Sequence, residues 1–127
     1  MEHNLTEIAA RDSHTVKPWF AGRIEFAPPV HDLAQDGFPL VGGRIDLVDE
    51  RKLAVLVYRR RKHWINLFIG LATGPLPTLE FDRRRRNGYN AVNARQGEFS
   101  CWAVSDLSAD ELAQFLRIQL SRSQEPK

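Results

Sequence analysis

Residues 44 to 71 read RIDLVDERKLAVLVYRRRKHWINLFIGL, and this stretch decides the fold. It opens with Ile45 and Leu47 alternating with polar residues, which is typical of a half-buried strand. Residues 53–58 are apolar at every position, so both faces of that strand are expected to be covered. The second strand is therefore predicted to lie inside the sheet and the first nearer its edge.

The third part of the stretch, residues 63–71, again has the two-residue period of a strand. One of its faces carries Ile65, Leu67 and Ile69, and the other carries Trp64 and Phe68. The connections at 49–51 and 59–62 are short and polar, which favours antiparallel neighbours. The stretch predicts a three-stranded meander.

Outward from the meander, the C-terminal third predicts a hairpin and a closing helix. Residues 72–87 are expected to form a long loop, and Tyr89–Arg95 and Glu98–Val104 form strands joined at Gly97. Ser108 and Glu111 have the spacing of a capping box, followed by a stripe of apolar residues at helical spacing. Strands followed by a helix predict an α+β fold: an antiparallel sheet of about five strands covered by a C-terminal helix.

The N-terminal third is less regular. Residues 4–12 predict a short helix, and residues 1–13 together are interpreted as a linker or short helix. Residues 14–43 contain four prolines and many large apolar groups, so we expect an irregular segment packed on the sheet. The predicted organisation is one domain over 14–121, with a disordered tail over 122–127.

Charge is unevenly distributed along the 127 residues. The net charge is +2, but the runs at 59–62 and 83–86 hold eight of the eighteen basic residues, and the remainder carries −6. Solvated turns are the ordinary explanation for such runs, and an anionic partner is the alternative. The basic surface is formed by Arg59, Arg60, Arg61, Arg83, Arg84, Arg85 and Arg86.

No pattern of reactive groups points to catalysis. The four histidines are scattered without metal-ligand spacing, and there is no Cys-x-x-Cys motif. Cys101, the one cysteine, is predicted to lie in a strand among apolar residues, where a thiol is inert. Neither a nucleophile elbow nor a phosphate-binding glycine loop is present. We therefore expect a binding protein that is not an enzyme and has no metal or cofactor.

Several long strings resemble the extracytoplasmic region of proteobacterial transmembrane anti-sigma factors, over roughly residues 13 to 118. The resemblance is carried by HTVKPWF at 14–20, GRI at 22–24, FAPPV at 26–30, GFPLVGGR at 37–44, VYRRR at 57–61, HWINLF at 63–68, GYN at 88–90 and WAVSDL at 102–107. Glu111, Leu112 and Phe115 continue it.

The resemblance implies a periplasmic sensory domain of a single-pass inner-membrane protein. In such proteins a cytoplasmic domain holds the sigma factor, and a transmembrane helix follows it; this sequence contains neither. The domain would control an extracytoplasmic-function sigma factor by binding a periplasmic protein partner or by admitting a protease. Proximity to a membrane surface is a further expectation.

A recognition surface is expected from an aromatic group beside convergent polar groups. The candidates are His14, Lys17, Trp19, Arg44 and His63. The alternative function is a stand-alone nucleic-acid-binding module that uses the basic runs 59–62 and 83–86. Nucleic acid is disfavoured because the body outside these runs is acidic and repels a phosphate backbone.

Overall fold

The chain folds around one antiparallel sheet, which a computed structural model describes over residues 6–9, 13–72 and 82–124. The strands are ordered β1-β2-β3-β4-β7-β6-β5 across the sheet. The elements described are β1 (Ile8–Ala9), α1 (Ser13–Phe20), a 3-10 turn (Ala34–Asp36), β2 (Leu40–Val48), β3 (Arg51–Arg60), β4 (His63–Leu71), β5 (Asp82–Arg86), β6 (Tyr89–Gln96), β7 (Phe99–Ser105) and α2 (Ala109–Gln124).

The predicted α+β class and the meander are confirmed by β2, β3 and β4, which pair consecutively and antiparallel. Two-residue connections join them. Asp49 and Glu50 both have positive φ, 50° and 65°, as the tightest hairpin turns require. Arg61, at φ 54°, opens the turn between β3 and β4. These turns fix which residues of neighbouring strands pair. Because successive side chains of a strand point to opposite sides, the register also fixes which side of the sheet each side chain occupies.

The predicted strand count of about five is too low. Six strands have five residues or more among those described, and the two-residue β1 adds a seventh. The missed strand, β5, lies within the predicted loop 72–87, where four arginines hide any apolar alternation. Asn87 and Gly88, both at positive φ, turn β5 into β6, and this Asn-Gly pair is the signal that the prediction overlooked.

The N-terminal prediction is wrong in two places. Within the predicted helix 4–12, residues Ile8 and Ala9 form β1 and pair with Gly43 and Gly42; residues 4, 5 and 10–12 lie outside the described part. A Cβ at Gly42 would collide with the Ile8 carbonyl oxygen, so glycine is what admits this strand. Within the predicted irregular segment, Ser13–Phe20 form α1 although it contains Pro18.

Pro18 cannot donate the backbone hydrogen bond of its turn, and α1 ends two residues after it. Val16 and Phe20, four residues apart, are fully buried on the same face of the helix. They pack over Gly43, where an added Cβ would lie 3.1 Å from the Phe20 ring. The burial of Val16 and Phe20 therefore outweighs the helix-breaking tendency of Pro18, from which irregular structure was predicted.

The closing helix α2 is confirmed, and its apolar stripe enters the core. The Glu111 N–H donates to Ser108 Oγ at 3.2 Å, which is the predicted cap. Phe115 lies between the rings of Tyr58 and Phe38, at 4.8 and 5.3 Å between centroids. The predicted tail boundary at 122 differs from the structure, because α2 extends to Gln124 and Arg122 forms a 2.8 Å ion pair with Asp36.

One buried cluster joins α1, α2 and the adjoining loops to a single face of the sheet, which we name the helical face. On the strands it comprises Leu40, Ala54, Leu56, Tyr58, Ile65, Leu67, Ile69, Val92, Ala94, Cys101 and Ala103. None of the described helices is long and apolar enough to span a bilayer.

Candidate functional site

The opposite face of the sheet has a different character, and we name it the aromatic face. Residues that pair across antiparallel strands share a face, so the register assigns each side chain. Val55, Phe68, Trp102 and Asn93 form one such row across four strands. Val55 is buried, whereas Phe68, Trp102 and Asn93 are half-buried. The aromatic face includes Arg44, Asp46, Leu53, Val55, Val57, Arg59, Trp64, Asn66, Phe68, Asn93, Arg95, Ser100, Trp102 and Val104.

A stacked aromatic pair lies at the centre of this face. Phe68 on β4 and Trp102 on β7 are directly opposed, with ring centroids 5.5 Å apart and planes within 9° of parallel. Neither ring belongs to the buried cluster beneath the helices. Two large rings are thus held in a fixed geometry while part of their surface reaches solvent.

Arg44 borders the aromatic pair and is held by three side chains. Its guanidinium carbon lies 6.0 Å from the Phe68 ring centroid, at the outer range of a cation–π contact. Nε and Nη2 donate to the Asp46 carboxylate at 3.0 and 3.3 Å, and Nη1 donates to Asn66 Oδ1 at 2.8 Å. With 16% of its side chain exposed, Arg44 is a positioned cation, since its rotamer is fixed by neighbours on two strands.

A second arginine–aromatic contact lies at the far end of the same face. The guanidinium of Arg59 is 4.9 Å from the Trp64 ring centroid. Its Nε also donates to the carbonyl oxygen of Arg61 at 3.0 Å, which orients the group. The two contacts give the face a repeated chemistry of flat rings bordered by guanidinium groups.

A groove of about 420 Å³ continues from Trp102 toward the turn between β2 and β3. Such a volume suits a small ligand or an inserted side chain. Its lining combines the indole with Leu53 and Leu71. Its polar side chains are those of Asp49, Arg51, Asn93, Arg95 and Ser100. The groove therefore offers apolar contact and hydrogen bonding together.

The five candidate residues from the sequence do not converge. Lys17 is exposed and Trp19 half-buried on α1, while nothing is described of the His14 side chain. Trp19 meets the edge of Phe20 at 5.1 Å and the guanidinium of Arg23 at 4.7 Å, so it packs at the margin of the helical face. Of the four whose side chains are described, only Arg44 belongs to the aromatic face.

His63 lies at the far end of the sheet from Arg44. It pairs with Arg60, five residues along β3 from the Val55 partner of Arg44, which corresponds to about 17 Å. His63 Nδ1 is 2.8 Å from the Asp106 carboxylate. His63 therefore contacts the segment that precedes α2, and it does not lie on the aromatic face.

The first basic run is divided between the two faces. Arg60 lies over the Phe38 ring at 4.9 Å, and its Nε is 3.4 Å from the Glu111 carboxylate. Arg61 Nη2 reaches the same carboxylate at 2.9 Å. The run thus fastens the β3–β4 turn to α2, while Arg59 alone joins the aromatic face. Of the second run, Arg83–Arg86, the structure describes only the strand they form.

The described part of the chain holds one buried thiol and no cluster of metal ligands. Burial raises the pKa of the Cys101 thiol to about 12, because the thiolate would lose its hydration. Over residues 6–9, 13–72 and 82–124 no group of three or more His, Cys, Asp or Glu could hold a metal ion. The chemistry on offer is stacking, cation–π contact and hydrogen bonding.

The members of this surface that sequence reasoning did not name as site residues include Asp46, Asn66, Phe68 and Trp102. The alternation of Trp64 and Phe68 opposite the aliphatic residues of β4 was a usable signal, since it separates two chemically distinct faces. These aromatics were not named among the candidate site residues. Comparison with known proteins adds no assignment, because no family model, curated protein or solved structure matches this chain.

Proposed function

We propose that this chain is a regulatory binding domain, and that the aromatic face is its recognition surface. The observation that supports this most directly is the stacked Phe68–Trp102 pair with Arg44 beside it. Trp, Phe and Arg are enriched at binding sites, where rigid rings provide contact area at a low entropic cost. An apolar surface on a sheet that already has a complete core marks an interaction site.

The biological context that we propose is the periplasmic part of a membrane-anchored anti-sigma factor, which controls an extracytoplasmic-function sigma factor. Its support is the resemblance of the sequence strings described above. Arg44, Arg59, Asn66, Phe68 and Trp102 all lie within those strings. The partner is a periplasmic protein, a small ligand or a protease whose access depends on occupancy of this face.

The test uses the complete gene product, expressed with a candidate extracytoplasmic-function sigma factor of the same organism and a reporter that depends on that sigma factor. Trp102→Ala and Arg44→Ala should shift the inducible reporter response by at least about threefold, since contacts of this kind contribute about 1 kcal/mol or more. Leu47→Ala is the matched control, because Leu47 is 68% exposed and lies outside the aromatic face.

Two results separate the parts of the proposal. Folded Trp102 and Arg44 variants with an unchanged response would reject the aromatic face as the recognition surface. A complete gene product without about 20 consecutive apolar residues upstream would reject the membrane anchor. Far-UV circular dichroism of each purified domain variant confirms that loss of response is not loss of fold.

Nucleic-acid binding is the second candidate, and one observation favours it: rings and guanidinium groups share a sheet face, as in platforms that stack bases. Against it, Arg60 and Arg61 share the single Glu111 carboxylate, which offsets half of their combined charge and ties both side chains to α2. Fluorescence anisotropy with a labelled single-stranded 20-mer decides the matter. Salt-dependent binding that Trp102→Ala weakens would favour this candidate over the regulatory one.

A further inference from the structure

The groove beside Trp102 continues a row of planar groups that crosses the aromatic face. The strand order places Arg44 on one side of Phe68 and Trp102 on the other. The Arg44 guanidinium lies 6.0 Å from the Phe68 ring, and the two rings are 5.5 Å apart. Asn93 follows Trp102 in the same row, on β6. Because one face of the indole is stacked on Phe68, its other face is directed toward β6 and Asn93.

The groove occupies the space on that side of the indole. Among the described residues, Trp102 and Asn93 line the groove and Phe68 does not. Asn93 is half-buried and has no ring, so its short side chain leaves space beside the indole. Aromatic rings are stabilised by a further ring stacked in parallel, at about 4.5–7 Å between centroids. The groove therefore offers a place for one flat group next to Trp102.

The apolar part of the groove suits a hydrocarbon ring. Leu53 lies over Gly70, because a Cβ added at the glycine would be only 2.6 Å from Leu53 Cδ2. The glycine thus lets the leucine lie close to the sheet. Val48 and Leu71, 45% and 38% exposed, add apolar surface to the lining. A groove of about 420 Å³ accepts a small ligand of one or two fused rings.

The charged side chains of the groove favour an anion. The described lining includes two arginines, Arg51 and Arg95, against one acid, Asp49, which gives a formal balance of +1. Arg95 is two residues along β6 from Asn93, so it lies on the same face about 7 Å farther on. A guanidinium has five N–H donors, so it can bind a carboxylate in addition to its contacts within the chain. One rigid ligand can therefore contact the indole with its ring and the guanidinium with its carboxylate.

We propose that this groove binds a small planar aromatic carboxylate, whose ring stacks on Trp102 and whose carboxylate pairs with Arg95. The inference rests on the proposed function, since it assigns a ligand class to the same recognition surface. A nucleotide is also flat and anionic. Its base edge and ribose need more hydrogen-bonding partners than Asn93 and Ser100, the neutral polar side chains of the described lining, can supply.

The experiment is a ¹H–¹⁵N NMR titration of the full 127-residue chain with 2-naphthoate as the probe. The chain has three tryptophans, so three indole N–H signals report separately on their surroundings. The Trp102 signal, assigned by its loss in Trp102→Phe, should shift with a dissociation constant of about 1 mM or lower. The signals of Trp19 and Trp64 should stay in place. No shift at Trp102, or equal shifts at all three, would overturn the inference.

Matched ligands separate the contribution of the ring from that of the charge. 2-Naphthamide keeps the flat ring without the charge and should bind at least about tenfold more weakly, because it cannot form the charge-assisted hydrogen bonds. Decalin-2-carboxylate keeps the charge without the flat ring and should bind at least about threefold more weakly. Equal binding of all three would reject a planar carboxylate as the ligand. Tighter binding of adenosine monophosphate than of 2-naphthoate would assign the groove to nucleotides instead.

Asn93→Phe tests the position of the ring. The new side chain fills the space beside the indole and is favoured in strands, so the fold should be kept. Binding of 2-naphthoate should fall at least about tenfold. Far-UV circular dichroism checks the fold, and unchanged binding by folded Asn93→Phe would overturn the inference.

Arg95→Gln tests the position of the carboxylate. It should lower the preference for 2-naphthoate over 2-naphthamide at least about fivefold, because only the naphthoate uses the guanidinium charge. Lys52→Gln is the matched control. Lys52 Nζ donates to the Arg23 carbonyl oxygen at 3.2 Å, on the other side of the sheet, so its loss should leave the preference unchanged. Equal changes in the two variants would indicate general charge attraction and overturn the inference.

The titration and the reporter assay fail separately. If Trp102→Ala shifts the reporter response but 2-naphthoate does not bind beside Trp102, the recognition surface stands and the ligand class is rejected. If 2-naphthoate binds as described but the reporter does not respond to the Trp102 and Arg44 variants, the groove stands as a ligand site and its regulatory role is rejected.

Discussion

The two faces of the sheet are built from the same strands and differ in what covers them. On the helical face, Leu56, Leu67, Val92 and Ala103 are fully buried beneath the helices and loops. On the aromatic face, the matching row ends in half-buried Phe68, Trp102 and Asn93. One side therefore supplies most of the folding free energy, and the other offers groups for recognition.

The largest expected contrast is in thiol reactivity. Cys101 lies on the helical face, and its pKa of about 12 leaves almost no thiolate at pH 8. Its neighbour Ser100 points to the aromatic face and is half-buried. In Cys101→Ala/Ser100→Cys, the new thiol should react with Ellman's reagent at least about 1000-fold faster than native Cys101.

Reaction after unfolding in urea provides the control, because both thiols should then react at the same rate. Fast reaction of native Cys101 would mean that the helical face opens readily, and the contrast between the faces would fail.

The next contrast is between two phenylalanines. Phe115→Ala removes a fully buried ring between Phe38 and Tyr58 and should lower the free energy of unfolding by about 3–5 kcal/mol. Phe68→Ala removes a half-buried ring and should cost about 1–2 kcal/mol. Urea titrations followed by far-UV circular dichroism measure both. Equal losses would show that the aromatic face is part of the core.

Much of the sheet was predictable because its strands alternate strongly. Residues 44–71 gave the meander, and the hairpin around Gly97 and the helix after Ser108 followed from local signals. β5 and α1 were missed for opposite reasons. The five polar residues of β5 carry no apolar period, and α1 contains a proline that local rules exclude.

The site was less predictable than the fold because it depends on register. Arg44 and Asn66 are 22 residues apart and meet only when β2, β3 and β4 pair as they do. The alternation of side chains along a strand separates its two faces. It does not predict which of the two faces will be covered by a helix that is distant in the sequence. For that reason Phe68 and Trp102 were not among the candidate site residues, and His63 was grouped with Arg44, which lies about 17 Å away along the strands.

A smaller contrast concerns the two tyrosines. Burial raises the pKa of Tyr58 far above its ordinary value, so its hydroxyl stays protonated and donates to the His31 carbonyl oxygen at 2.7 Å. Tyr58→Phe should therefore lower the free energy of unfolding by about 1–2 kcal/mol. Tyr89 is 55% exposed, and Tyr89→Phe should change it by less than about 0.5 kcal/mol. Denaturation of both variants measures the two changes in the free energy of unfolding. Similar values would mean that the hydrogen bond of the Tyr58 hydroxyl does not stabilise the fold.

The smallest effect is expected at the junction that His63 forms with Asp106. The two side chains are 39% and 52% exposed, so water and salt screen their 2.8 Å contact. Asp106→Asn should lower the free energy of unfolding by less than about 1 kcal/mol, and 1 M salt should reduce that difference further. Arg122→Ala, which removes a comparably exposed pair with Asp36, is the matched variant. We expect Asp106→Asn to match Arg122→Ala in its loss of unfolding free energy. A loss several times larger, and insensitive to salt, would show that the His63–Asp106 contact stabilises the fold as contacts of the helical face do.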